Sequence, residues 1–173
     1  MPPKLGRAAL VGAGALCFGV AAFLHAGEPR EGQLPELTFP LQGVPRSAMK
    51  NTFNDRRGRR IHHAVDIMAP RNSPVVAVAG GVVAKLTHRG AGGIAIYQFD
   101  SSGRYCFFYA HLQKYAEGLK EGQALVGGET IGYVGSSGNA PRASPHLHLA
   151  IAEITRAGQW WGGTPIDPFP ILR

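Results

Sequence analysis

Residues 93–112 read GIAIYQFDSSGRYCFFYAHL. Two runs rich in β-branched and aromatic side chains flank Ser101-Ser102-Gly103, a composition that suits two strands joined by a hairpin turn. The same pattern extends in both directions. LTFPLQGV (37–44), VDIMAP (65–70), PVVAVAGGVVAKLTH (74–88), ETIGYVG (129–135) and HLHLAIAEI (146–154) are apolar runs bounded by turn signals, and each reads as a strand. GSSGNAPRASP (135–145) reads as a long loop before the last strand. LQKYAEGLKEG (112–122) alone has helical character, and Gly118 limits it to a turn or two. With 24 glycines and 13 prolines among 173 residues, the chain is expected to be mainly β, a single domain built on antiparallel sheet.

The N-terminus has a different character. Lys4 and Arg7 precede an uncharged, mostly apolar stretch from Ala8 to Leu24, the layout of an export signal. Residues 1–26 are therefore expected to be a signal peptide or a membrane anchor, since the stretch is at the short end for a spanning helix. Residues 27–36, with Pro29 and Pro35, read as a linker, and 37–173 as the folded domain. The expected location is the periplasm or cell envelope, with anchoring to the inner membrane as the variant reading. Cys17 falls inside the leader, so no disulfide is expected in the domain and Cys106 reads as a small core residue.

The net charge is +7. Such an excess suits solubility or an anionic polymer such as a cell wall. Nucleic acid is not the expected partner: the positive residues are scattered, and the one dense cluster, RRGRR (56–60), has no interleaved aromatics. The sequence leaves oligomeric state open.

Two clusters put ionisable groups inside apolar runs, IHHAVDIMAP (61–70) and SPHLHLAI (144–151). Such groups are costly to bury unless paired or bound. Under the two-residue period of a strand, His146 and His148 share a face, His62 shares one with Asp66 while His63 lies opposite, and His111 aligns with Phe107 and Tyr109; a helical HHAVD would instead let either His62 or His63 approach Asp66. Five ligand-capable side chains thus converge from three strands. A catalytic zinc takes three protein ligands and keeps one position for water, so two histidines and an aspartate would supply the set, and a neutral histidine nearby could act as base. His25 and His88 have no such partners and read as ordinary histidines.

From about Phe39 to Pro168 the chain resembles the lysostaphin-type zinc metallo-endopeptidases of bacterial cell walls. The resemblance is carried by HHAVDIMAP, PVVAVAGGVV, YAHL, EGQALVGGETIGYVGSSG, SPHLHLAI and GTPIDP, in that order. It implies a zinc held by His62, Asp66 and His148, and catalytic roles for His111 and His146 in activating water and stabilising the transition state. It also implies an antiparallel β structure with the metal in a groove walled by loops, and peptidoglycan peptides as substrate. Two positions depart from the pattern: Ala64 stands where glycine is frequent, and Ala150 where an acidic residue is frequent. The rival readings are a non-catalytic wall-binding regulator of another hydrolase, and a metallopeptidase acting on a non-wall peptide. Trp160 and Trp161 are expected to cap the sheet, with a substrate platform as the alternative.

Overall fold

The computed structural model describes residues 33–173, so the expected signal or anchor at 1–26 lies outside the described residues. Among the described residues no helix is long and apolar enough to cross a membrane. Among the described residues twelve strands form in chain order: β1 (Met49–Lys50), β2 (Arg56–Arg57), β3 (Arg60–Ile61), β4 (Val65–Met68), β5 (Pro74–Val76), β6 (Gly81–His88), β7 (Ile94–Asp100), β8 (Tyr105–Tyr115), β9 (Ala124–Leu125), β10 (Thr130–Val134), β11 (His146–Glu153) and β12 (Thr164–Ile166). A 3-10 turn precedes β1, and one short helix, α1 (Phe169–Leu172), ends the chain. The main sheet runs β1-β4-β11-β8-β7-β6-β9, with β10 pairing β5 and β8 and with β12 on β11, every pair antiparallel. Strands β2 and β3 make a separate two-stranded ribbon. The expected mainly β, antiparallel architecture is the one observed.

Strand period explains how the core and the site share the same strands. In β4, Val65 and Ile67 are fully buried while Asp66 and Met68 face the other way; in β11, Leu147, Leu149 and Ile151 are buried and His148 and Ala150 are less so. The registers place His148 opposite Asp66 on one side and opposite Ala110 on the other. One face of these strands therefore packs the core, and the other carries the polar groups.

The core includes a hydrogen-bonded chain. Buried Tyr109 accepts from the Val78 backbone N–H (2.9 Å) and donates to Gln98 Oε1 (2.6 Å), and Gln98 Nε2 donates to the Ala79 carbonyl (2.7 Å). Burial pushes the Tyr109 hydroxyl pKa up, so it stays protonated. Tyr109→Phe strands a buried donor and a buried acceptor, and is expected to cost about 1–3 kcal/mol. The check is a lower denaturant midpoint at an unchanged slope.

Four expectations change in the fold. LTFPLQGV is not a strand: Pro40 lacks an N–H, and the segment lies along β5 with one isolated bridge, Leu41 to Val75, and single bonds such as Thr38 N–H to the Val78 carbonyl (2.7 Å). PVVAVAGGVVAKLTH divides into β5 and β6. The stretch at 112–122 forms no helix; its first four residues complete β8, and turns at Gly118 and Gly122, both with positive φ, carry the rest. HLHLAIAEI is not the last strand, because β12 follows and pairs with it at the sheet edge, where Pro165 is tolerated.

Candidate active site

His62, Asp66 and His148 form a triangle of ligand atoms. His62 Nε2 lies 3.0 Å from His148 Nδ1 and 3.4 Å from Asp66 Oδ1, and His148 Nδ1 lies 3.3 Å from the same oxygen. Ligands at zinc bond lengths on a tetrahedron stand about 3.3 Å apart. The triangle has that size. Asp66 Oδ1 is also buried with no hydrogen-bond partner, although its carboxylate is otherwise held. A buried carboxylate oxygen that accepts nothing and faces two imidazole nitrogens is a metal-ligand environment. These three residues are the cluster among the described ones that could hold a metal ion, and two histidines with a carboxylate suit zinc.

The ring tautomers are set by the backbone. His62 Nδ1–H donates to the Thr52 carbonyl (3.0 Å), which leaves Nε2 with its lone pair toward the triangle. His111 Nδ1–H donates to the Ser137 carbonyl (2.9 Å), and His146 Nδ1–H to the Ser144 carbonyl (2.8 Å). Each bond engages Nδ1 and leaves Nε2 of the ring free of the backbone. The His146 Nε2 is 3.8 Å from Asp66 Oδ1, outside the ligand triangle but beside it. The His111 ring lies 4.9 Å from that of His146 and 5.5 Å from that of His148, centroid to centroid.

Electrostatics follow from burial and from neighbours. Burial alone would raise the Asp66 pKa, but His148 and His62 outweigh it and hold the carboxyl well below the usual range. Burial lowers the pKa of His148, and pushes that of His111 down to about 4 despite its bond to Ser137. At pH 7 the carboxylate is charged and these two imidazoles are neutral, the forms that bind a metal or take a proton.

All five predicted residues are thus brought together, though not all by strand period. Within the first cluster Ile61 ends β3 and Val65–Met68 forms β4, and His62 and His63 lie between the two strands. His62 enters on a loop, its N–H bonded to the Asp55 carbonyl and that of His63 to the Phe53 carbonyl, and His63 has φ +52°. His63 stays exposed, 5.5 Å from the Phe53 ring, and takes no part in the triangle. The alignment of His111 with Phe107 and Tyr109 is wrong. Strand β8 carries an extra residue between Tyr109 and Leu112 relative to β7, and His111 has φ +61°. This bulge breaks the alternation, so Phe107 and Tyr109 stay in the core while Phe108, Ala110 and His111 line the groove.

A further device holds His111. Ser137 Oγ accepts from the Ile94 N–H (2.9 Å) and the Asn139 N–H bonds to the Ala91 carbonyl (2.9 Å), so the loop after β10 is laced to the loop before β7. At Gly138, φ is +70° and a Cβ would fall 2.1 Å from the Ala91 oxygen. Glycine is required there by both conformation and contact.

The groove has a volume of about 530 Å³ and is open along one side. The family model for peptidase family M23 matches residues 60–168, most of this groove and all five residues. The chain belongs to peptidase family M23. An M23 relative, the L-Ala--D-Glu endopeptidase of Bacillus subtilis, is 36% identical over 148 residues, covering 81% of this chain and 44% of its own length. This chain thus spans less than half of that curated relative. Among solved structures, the catalytic domain of lysostaphin from Staphylococcus simulans is similar at 29% identity and a TM-score of 0.56, covering 65% of this chain and 79% of that one. Csd3 from Helicobacter pylori gives 26% identity and a TM-score of 0.61, covering 79% and 33%.

Several groups in this M23 site escaped the sequence reading. Thr52 has a carbonyl on His62, while its hydroxyl accepts from the Asp66 N–H (3.1 Å) and donates to the Ala64 carbonyl (3.3 Å). Arg57 Nη2 reaches Asp66 Oδ2 at 2.9 Å. Nothing in NTFN marks Thr52, whereas RRGRR was visible as a charge cluster without a purpose. Past the triangle, Phe108 (5.8 Å from His148), Tyr97 and Trp160 contact one another in turn above Ala150 and Ala152, lining a smaller cleft of about 210 Å³. Trp160 is half-buried on this face, while Trp161 is 56% exposed. Cys106 is buried in the same cleft, and burial pushes its thiol up to about 12, so it is chemically quiet.

Proposed function

We propose that this chain is a zinc-dependent endopeptidase that hydrolyses peptide bonds of bacterial peptidoglycan, with His62, Asp66 and His148 as metal ligands and His111 and His146 as catalytic residues. The observation that carries the reading is the ligand triangle around the partnerless Asp66 Oδ1, with His111 and His146 beside it, each held through Nδ1 by a backbone carbonyl. Membership of family M23 and the endopeptidase names of its relatives support the substrate class.

Zinc, when bound, supplies a Lewis acid and lowers the pKa of its water to about 7. The protein's own groups do the rest. Nε2 of His111 and Nε2 of His146 are available to take the proton from attacking water and return it to the departing amine. Ser137 and Ser144 keep both rings oriented through the exchange, and the charge on either imidazolium is shared with its carbonyl partner. Phe108 and Ala110 form an apolar floor beside the scissile bond. Residues 1–26 would deliver the enzyme to the envelope as a signal or an anchor. Against the non-catalytic regulator stands the gathering of His62, Asp66, His111, His146 and His148 in one groove.

The test is incubation of the purified full chain with cross-linked peptidoglycan, with and without zinc after chelation, and with soluble products read by mass spectrometry. Zinc-dependent loss of cross-linked or stem-peptide species is expected, and the products name the bond. An unchanged wall from folded, zinc-loaded protein would overturn the wall substrate.

A further inference from the structure

One wall of the groove is the β2–β3 ribbon, and its charge is unbalanced. Arg57 and Arg60 are directly paired across the ribbon, so two like charges share a face, an arrangement that costs stability unless each finds an anion. Arg57 has its anions: Asp66 Oδ2 at 2.9 Å and Asp55 at 3.9 Å. Arg60 has none among the described residues. Lys50, paired with Asp66 across β1 and β4, also lines the groove and likewise makes no ion pair. Asp66 is the one acidic side chain in the lining, and both of its oxygens are committed, Oδ2 to Arg57 and Oδ1 to the triangle. Two cations are therefore left over on this wall. Ala91, Gly92, Asn139, Ala140 and Pro141, which also line the groove, carry no charge.

We propose that Lys50 and Arg60 form a carboxylate subsite, which holds a free carboxylate of an acidic residue in the substrate peptide on the ribbon side of the scissile bond. The inference rests on the peptidase reading and adds the polarity with which the peptide lies in the groove. A guanidinium fork pairs with a carboxylate through two parallel hydrogen bonds, and the lysine adds a mobile point charge. In a cleft with low-dielectric walls, such a field concentrates anionic ligands before they dock. Arg57 is excluded from this role because it already neutralises Asp66.

The experiment uses the zinc-loaded full chain and two synthetic peptidoglycan stem peptides, identical except that the carboxylates are free in one and amidated in the other. The wild type is expected to favour the free acid by about 10-fold or more in kcat/KM, mostly through KM, the least that charge-assisted hydrogen bonds supply. The double variant K50A/R60A should lose that preference while cutting the amidated peptide as the wild type does, and higher ionic strength should shrink the wild-type preference. Both residues are exposed, so the fold is not at risk. Equal cleavage of the two peptides by the wild type overturns the subsite. Titration calorimetry of both peptides separates the two levels of the argument. If neither peptide is cut, tighter binding of the free acid, lost in K50A/R60A, upholds the subsite and overturns the peptidase reading, whereas equal binding overturns the subsite.

Discussion

His148→Ala is expected to abolish zinc binding, and hydrolysis with it, in a protein that still folds. The imidazole supplies one corner of a triangle whose other corners are 3.0 and 3.3 Å away. Two ligands remain, fewer than the three that a catalytic zinc site uses. Loss of a hydrogen-bond partner behind a ligand already costs about 10–100-fold in metal affinity, and loss of the ligand itself should exceed that. The fold survives because the core side of β11 is made by Leu147, Leu149 and Ile151, which the substitution does not touch. Zinc content after dialysis, circular dichroism and turnover are the three measurements. Retention of stoichiometric zinc by the folded variant would remove His148 from the ligand set.

His146→Ala should behave differently. Its Nε2 stands 3.8 Å from Asp66 Oδ1, beyond the triangle, and its Nδ1–H is tied to the Ser144 carbonyl. Zinc is therefore expected to stay bound while kcat falls by about 10²–10⁴-fold, the usual contribution of a positioned acid–base group, with little change in KM. The same split is expected for His111→Ala, where burial keeps the imidazole neutral and Ser137 holds its tautomer. The two losses should not add, since the histidines act on one proton path. Full activity in either single variant, or zinc loss equal to that of His148→Ala, would reverse the division between ligands and catalytic residues.

The sequence by itself determined the class of fold and named the five side chains that the groove brings together. Alternation in HLHLAI separates His146 and His148 from Leu147 and Leu149, and a strand can bury one set only by presenting the other, so that pair was legible from period alone. The hairpin at Ser101–Gly103 was equally legible, because its turn residues and flanking aromatics are local signals. Tertiary structure decided what local signals cannot carry. His111 reaches the groove through a bulge in β8, which arises from how β7 and β10 pair with it, and parity pointed to the wrong face. His62 arrives on a loop held by Thr52, Phe53 and Asp55, so its place beside Asp66 depends on backbone bonds to another segment. RRGRR shows the same limit: its composition was plain, but only the folding of the ribbon over β4 assigns Arg57 to Asp66 and leaves Arg60 and Lys50 facing the groove. Period and composition act over a few residues, whereas bulges, carbonyl partners and charge balance are fixed by strands that meet from distant parts of the chain.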